Sequence, residues 1–257
     1  MSELVAKIEK ISTVDAIANY LKKQIETGIL KPGDQLPSER LLQGQLDVSR
    51  FALREALAKL SALGIIHIAH GKGAFIATEV NRESLQDVFI PLFANLDINH
   101  LVDFFEARVL IESEAVVLCA LRRSDEDVQD LQKIIDQSRE VIDDPTQYAE
   151  LDYLFHNKIS QMSRNIFINK MLECLNDFIK EYLVILAKDK NTRQQSLANH
   201  IEILESIKIK DAENAGHIIR EHLTNTFKKI SSLDAKTKGS IFAEDFNTVF
   251  SLTKNES

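Results

Sequence analysis

Two sets of residues in this chain have types and spacings that could do chemistry. The first is a carboxylate with three imidazoles. In "LDYLFHNKI", Asp152 and His156 stand four residues apart. On a helix that spacing puts both on one face, about 6 Å apart along the axis. They flank the apolar stripe Leu151, Phe155, Ile159 and Met162, so they point to an interior edge. His200 precedes Ile203 and Leu204 on an apolar face, and His222 follows Ile218 and Ile219. A turn near 208–211 would put these two histidines roughly 13 and 17 Å from it, at similar heights in an antiparallel hairpin. One carboxylate and three neutral imidazoles are a donor set for a divalent cation, and zinc, nickel and manganese all suit it. Each residue also has a plainer reading. A histidine on an apolar face is usually a core residue, and an Asp–His pair is usually a local hydrogen bond.

The second set lies in "DVSRFALREAL", residues 47 to 57, where Arg50 and Arg54 share one helical face behind Ser49. The 257-residue chain carries a formal net charge of −8. Residues 1–80 have a net charge of +1 and the remainder −9. Bulk charge therefore says little about nucleic acid, and the arrangement of the arginines has to carry that argument. Taken alone, two such arginines are ordinary solvated charges.

The surrounding elements supply the context. Val14, Ile17, Ala18, Leu21 and Ile25 predict a helix over 12–27, closed by Gly28 and the Pro32-Gly33 turn. Ser38 caps a short helix to about Gln45, and Ser49 caps another that stops at Gly64. "IIHIAHGKGAFIATE" then reads as a β-hairpin with a glycine-rich tip. Helix, helix, turn, helix and hairpin make a winged helix-turn-helix domain over 1–78. In that fold the start of the second helix of the motif enters the major groove. Arginine donates two bonds to a guanine edge, and a helix N-terminus donates to phosphate. Ser49, Arg50 and Arg54 have that placement, with Arg40 on the preceding helix. The tip His70-Gly71-Lys72 would lie along the adjacent minor groove.

From residue 82 onward the pattern becomes long amphipathic helices: 82–95, 99–122, 125–142, 147–163, 165–188, 193–208 and 211–232. Seven helices with short polar breaks predict an antiparallel bundle over 79–233. A tail, 234–257, follows, with a short helix around 241–251 carrying Phe242, Phe246 and Val249. The fold class is mainly α. Cys119 and Cys174 fall within apolar helical patterns and read as buried free thiols. "MSELVAKIEK" is charged throughout, which excludes a secretory signal, and no run of 18 apolar residues predicts a membrane span. The cytoplasm is the expected compartment.

"ILKPGDQLPSERLLQGQLDVSRFALREALAKLSALGIIHIAHGKGAFI" resembles the winged-helix domain of GntR-family bacterial transcription regulators. "LPSER", "VSR" with "LREAL", and the "GKGAF" wing all stand at the family's spacing. The resemblance implies that Arg40, Arg50, Arg54 and His70-Gly71-Lys72 contact operator DNA. The chain departs from the family at Phe51-Ala52, where small polar residues or proline are usual. Phe51 could touch a thymine methyl or pack on its own domain. Residues 99–230 are similar to the FCD ligand-binding domain of the FadR branch, through "FEARVLIE", "LDYLFHNKISQMSRN" and "NHIEILESIKIKDAENAGHIIREHL". The helix at 82–95 matches the seven-helix, FadR-type version.

Metal-binding members of that branch match at Asp152, His156, His200 and His222. Arg108 would meet a carboxylate effector, or else pair with Glu112 or Glu114. The implied function is a homodimeric, ligand-responsive regulator, in the first instance a repressor. It would bind a palindromic operator and sense a small organic acid at a metal, with zinc expected first. Two alternatives are a metal-dependent enzyme and a regulator whose metal is purely structural. Against the enzyme, the chain has no HExxH motif and no evident companion base.

Overall fold

Serine hydroxyls begin each of the first three helices. In the computed structural model, which describes residues 11–93 and 98–238, Ser12 caps α1 (Thr13–Glu26), Ser38 caps α2 (Glu39–Leu46) and Ser49 caps α3 (Arg50–Ala62). Each hydroxyl accepts an amide that the helix itself cannot satisfy, which stabilises the element by about 1 kcal/mol. The turn between α2 and α3 is tight because Asp47 takes a left-handed conformation with φ of 51°. Aspartate is one of the few residues that visits that region readily. Gly64 ends α3 at φ 66°, and a Cβ there would come within 2.6 Å of Asn81. Only glycine fits this corner.

The wing is β1 (Ile66–Ala69) paired antiparallel with β2 (Gly73–Ile76), in the register Ile66↔Ile76 to Ala69↔Gly73. Gln35 adds a bridge to Phe75. One apolar cluster holds these elements together. Ile17 and Leu21 of α1 meet Leu53, Ala56 and Leu60 of α3, with Ile66 and Ile76 closing it from the wing.

The chain divides into two units, Met1–Val88 and Phe89–Ser257, so the break falls within α4 (Arg82–Phe93). The second unit contains α5 (Ile98–Arg122), α6 (Asp125–Glu140), α7 (Pro145–Met162), α8 (Ile166–Leu186), α9 (Lys190–Lys208) and α10 (Ala212–Lys238). With α4 these are the seven helices read from the sequence, with ends shifted by a few residues. The polar breaks do what their composition predicts. Ser124 and Asp127 form a reciprocal capping box, Asp144 caps a helix that starts on Pro145, and Asn165 and Asp189 cap the next two. Helix α5 is central and packs on α7, α8, α9 and α10. At Gly216 of α10 a Cβ would stand 3.0 Å from Val117, so the absent side chain lets α5 and α10 approach closely.

Phe105, Val116, Phe155, Ile203, Ile219 and Phe227 form the middle of one continuous core. The helix expected around 241–251 lies outside the described residues. Among the described residues, no helix is long and apolar enough to cross a membrane.

Candidate functional site

Helix α7 brings Asp152 and His156 into the bundle, α9 brings His200, and α10 brings His222. The turn joining α9 to α10 has Lys210 in a left-handed conformation, φ 60°, and folds the two helices back on each other. All four side chains are buried, and one donor atom from each lies within 4.8 Å of the others. The ring centroids of His156, His200 and His222 stand 5.0–5.3 Å apart in every pairing. Phe155 stacks on His200 at 4.0 Å and fixes that ring's plane. The structure thus brings together the Asp152–His156 pair of one helix and the two histidines that sequence spacing had put at similar heights in a hairpin.

The electrostatics favour electron-pair donors. Burial pushes the pKa of His200 and His222 well below 6.5, with neighbouring imidazoles adding to the effect, so both rings are neutral. His200 Nε2 is buried without a hydrogen-bond partner and stands 3.6 Å from Asp152 Oδ1, too far for a hydrogen bond. Leaving such a nitrogen unsatisfied costs about 1–3 kcal/mol. A cation between the nitrogen and the carboxylate would satisfy both, so the donor set fits a divalent ion. Ser196 Oγ donates to Asp152 Oδ1 at 2.7 Å and steadies that carboxylate.

Outside this cluster the ligands are held in turn. His156 Nδ1 lies 2.6 Å from Glu112 Oε2, and His222 Nδ1 lies 3.3 Å from the Asn199 amide. Arg108 donates to the other oxygen of Glu112 from Nε at 2.8 Å and approaches it with Nη2 at 2.5 Å. Burial would raise the pKa of Glu112. The Arg108 and His156 charges and their hydrogen bonds outweigh burial and hold it down at about 2. Of the two fates the sequence allowed Arg108, the ion pair with Glu112 is formed. Among the described residues, Arg108 Nη1 is nevertheless buried without a hydrogen-bond partner. Arg108 lines a cavity of about 30 Å³ with Tyr148, Asp152, His156, Ser196 and His222. That volume holds a water or two.

Sequence reasoning had placed Glu112 only as a partner for Arg108. It missed the second oxygen's bond to His156, and it missed Ser196 and Asn199 entirely. Ser196 stands one helical turn before His200, a signal that could have been used.

In the first unit, Arg40, Ser49, Arg50, Phe51 and Arg54 are exposed, as are His70, Gly71 and Lys72 at the wing tip. Arg54 donates from Nε to Glu39 Oε2 at 2.8 Å, and Arg50 Nε stands 3.8 Å from the same oxygen. Both arginine side chains keep more than half of their surface exposed, 56% and 67%. The bond to Arg54 uses Nε, not the two outer nitrogens of the guanidinium. Phe51 is 74% exposed, so it does not pack on its own domain. Gln35 Nε2 donates to the Lys72 carbonyl at 2.6 Å and ties down the wing tip. Glu39 went unnoticed in the sequence as a partner for the arginines, although it belongs to "LPSER".

Residues 13–76 match the model of the gntR family of bacterial regulatory proteins, and residues 103–225 match that of the FCD domain. The chain is 30% identical over 222 residues to the Escherichia coli (strain K12) protein named for regulation of the L-lactate dehydrogenase operon, covering 82% of this chain and 83% of that one. It is 27% identical over 234 residues to the HTH-type transcriptional repressor NanR of Cronobacter sakazakii (strain ATCC BAA-894), covering 87% of each. Among solved structures, Streptococcus agalactiae GntR superposes with a TM-score of 0.63 at 28% identity, covering 84% of this chain and 99% of that one. The first two are named as regulators of transcription or of an operon. A winged helix-turn-helix head with exposed arginines, joined in one chain to an FCD bundle, places this protein in the GntR family of bacterial transcription regulators.

Proposed function

We propose that this regulator represses transcription by binding a palindromic operator as a homodimer in the cytoplasm, and that a small organic acid controls it. Residues 1–78 form the DNA-binding domain, 79–233 the sensing domain and 234–257 a tail. Arg50 and Arg54 meet base edges in the major groove, with Ser49 and Arg40 at phosphate or at neighbouring edges and Phe51 against a thymine methyl. Lys72, beside His70 and Gly71, meets the backbone at the adjacent minor groove. Two-fold symmetry of the dimer matches that of the operator. The similarity to NanR, which is named a repressor, supports the sign of regulation.

In the sensing domain Asp152, His156, His200 and His222 hold a divalent metal, zinc in the first instance, with nickel or manganese also compatible. The observation that carries this reading is the unpartnered, buried His200 nitrogen facing the Asp152 carboxylate, with the neutral His222 ring beside it and His156 in the same cluster. A bound divalent ion supplies open coordination positions for the oxygens of an acid. Arg108, which lines the same cavity, offers Nη1 to a carboxylate oxygen. Effector and operator then bind as linked ligands, each altering the other's affinity by the same factor.

The test has two steps. Duplexes selected by the protein from a random pool identify the operator. A panel of small carboxylates, each with and without zinc, is then scored by thermal shift and by operator affinity. An acid that shifts melting only with the metal present, and weakens operator binding, supports the reading. Shifts that survive chelation unchanged would leave the metal a purely structural role.

A further inference from the structure

Glu112 is joined to both candidate sensing elements. One of its oxygens lies 2.6 Å from His156 Nδ1, and the other is held by Arg108 at 2.8 and 2.5 Å. All three side chains are at least 95% buried. We propose that Glu112 is a positioning residue that aims His156 Nε2 at the metal and mechanically couples that ligand to the anion-binding Arg108. The inference rests on the metal reading above and goes beyond it.

Its physical basis is the bookkeeping of protons and charge. A carboxylate accepts and does not donate, so the short contact requires His156 to carry its proton on Nδ1. In the neutral ring that a metal would require, Nε2 keeps its lone pair on the side away from Glu112. The His200 and His222 ring centroids stand 5.2 and 5.3 Å from that of His156. A carboxylate behind an imidazole also makes it a better donor to a cation. Glu112 could not stay ionised at this depth alone, and Arg108 supplies the compensating charge. Two of the three Arg108 nitrogens bind Glu112, and the third, Nη1, has no hydrogen-bond partner among the described residues, while Arg108 lines the cavity. An anion that takes Nη1 pulls on the guanidinium, and the pull reaches His156 through a single carboxylate. The Asn199 amide beside His222 Nδ1 occupies the corresponding place on α9, so two of the three rings are braced from outside the cluster.

The measurement is Zn²⁺ affinity by competition with a chromophoric chelator, together with the visible spectrum of the Co²⁺-loaded full-length protein. Glu112→Gln keeps an acceptor and loses the charge. Arg108→Met/Glu112→Leu removes the pair as a neutral unit, which leaves no buried charge uncompensated and protects the fold. Helical circular dichroism verifies folding in each case. The expected result is Zn²⁺ binding weaker by about tenfold in Glu112→Gln and about 100-fold in the double variant, with a shifted Co²⁺ band. Acetate is the anion probe. It should tighten Zn²⁺ binding in the wild type and lose most of that effect in the double variant. A folded double variant with wild-type Zn²⁺ affinity and an unmoved Co²⁺ spectrum overturns the proposal, as does an acetate effect of undiminished size. Wild-type protein that takes up neither ion would defeat the underlying metal reading, and that outcome is distinguishable from the others.

Discussion

Glu39 presents an acidic oxygen to the two arginines that should meet DNA, and its geometry explains why it is tolerated there. It engages Arg54 through Nε, so the guanidinium is fixed in orientation by a bond that does not use its two outer nitrogens. A bidentate arginine–guanine pair is worth about 1–3 kcal/mol of discrimination. Arg50→Ala should therefore weaken specific binding by about 5- to 150-fold with the fold intact, measured on the selected duplex beside a scrambled one. Unchanged affinity would refute the groove assignment. Glu39→Gln should act differently. It removes a repulsive charge and a brace together, so non-specific affinity should rise while the ratio of specific to non-specific binding falls. Phe51 gives a chemical test of its own. Replacing each operator thymine by uracil deletes one methyl group, and one such position should weaken the wild type but leave Phe51→Ala indifferent. At this scale helical phase disclosed that Arg50 and Arg54 share one face, while Phe51 was left open between solvent and its own domain until its exposure was seen. It did not disclose the Glu39 contact, which depends on side-chain conformations across two helices.

Helices α7, α9 and α10 illustrate what periodicity can and cannot encode. The i, i+4 spacing of Asp152 and His156, and the near-equal distances of His200 and His222 from their turn, made convergence one of two open readings, and the resemblance to the FCD domain pointed to the set of four. The link from Glu112 to His156 spans 44 residues and two helices, and no local pattern records it. His200→Ala together with His222→Ala should lower metal content well below one ion per chain, read by elemental analysis. Full occupancy in the double variant would count against the site. The same rings set a pH dependence for the metal-free protein. Their folded pKa values lie well below 6.5, so below about pH 6.5 the unfolded chain binds protons that the folded chain refuses. Stability should therefore rise with pH up to that region and fall on acidification, by at most about 1.4 kcal/mol per pH unit for each ring. Melting curves in chelator between pH 7.5 and 5.5 would show this, and a flat profile would mean that the rings charge freely in the folded bundle.

For the molecule as a whole, the division into a reading unit and a sensing unit was visible as a change of pattern, from short capped helices and a hairpin to long amphipathic helices. The position of the break was less visible, because α4 runs through it without interruption. The two units also differ in sulfur. Both cysteines, Cys119 and Cys174, are buried in the helical bundle, and Met1–Val88 contains none. Burial pushes the Cys119 thiol up to about 12, so it has almost no nucleophilic thiolate at neutral pH. Native protein should thus resist a thiol reagent until the bundle opens. Labelling then becomes a clock for the sensing half alone, blind to any fraying of the winged head. If an acid and its metal tighten that half, the clock should slow in their presence, and it would report signal reception without any DNA in the tube.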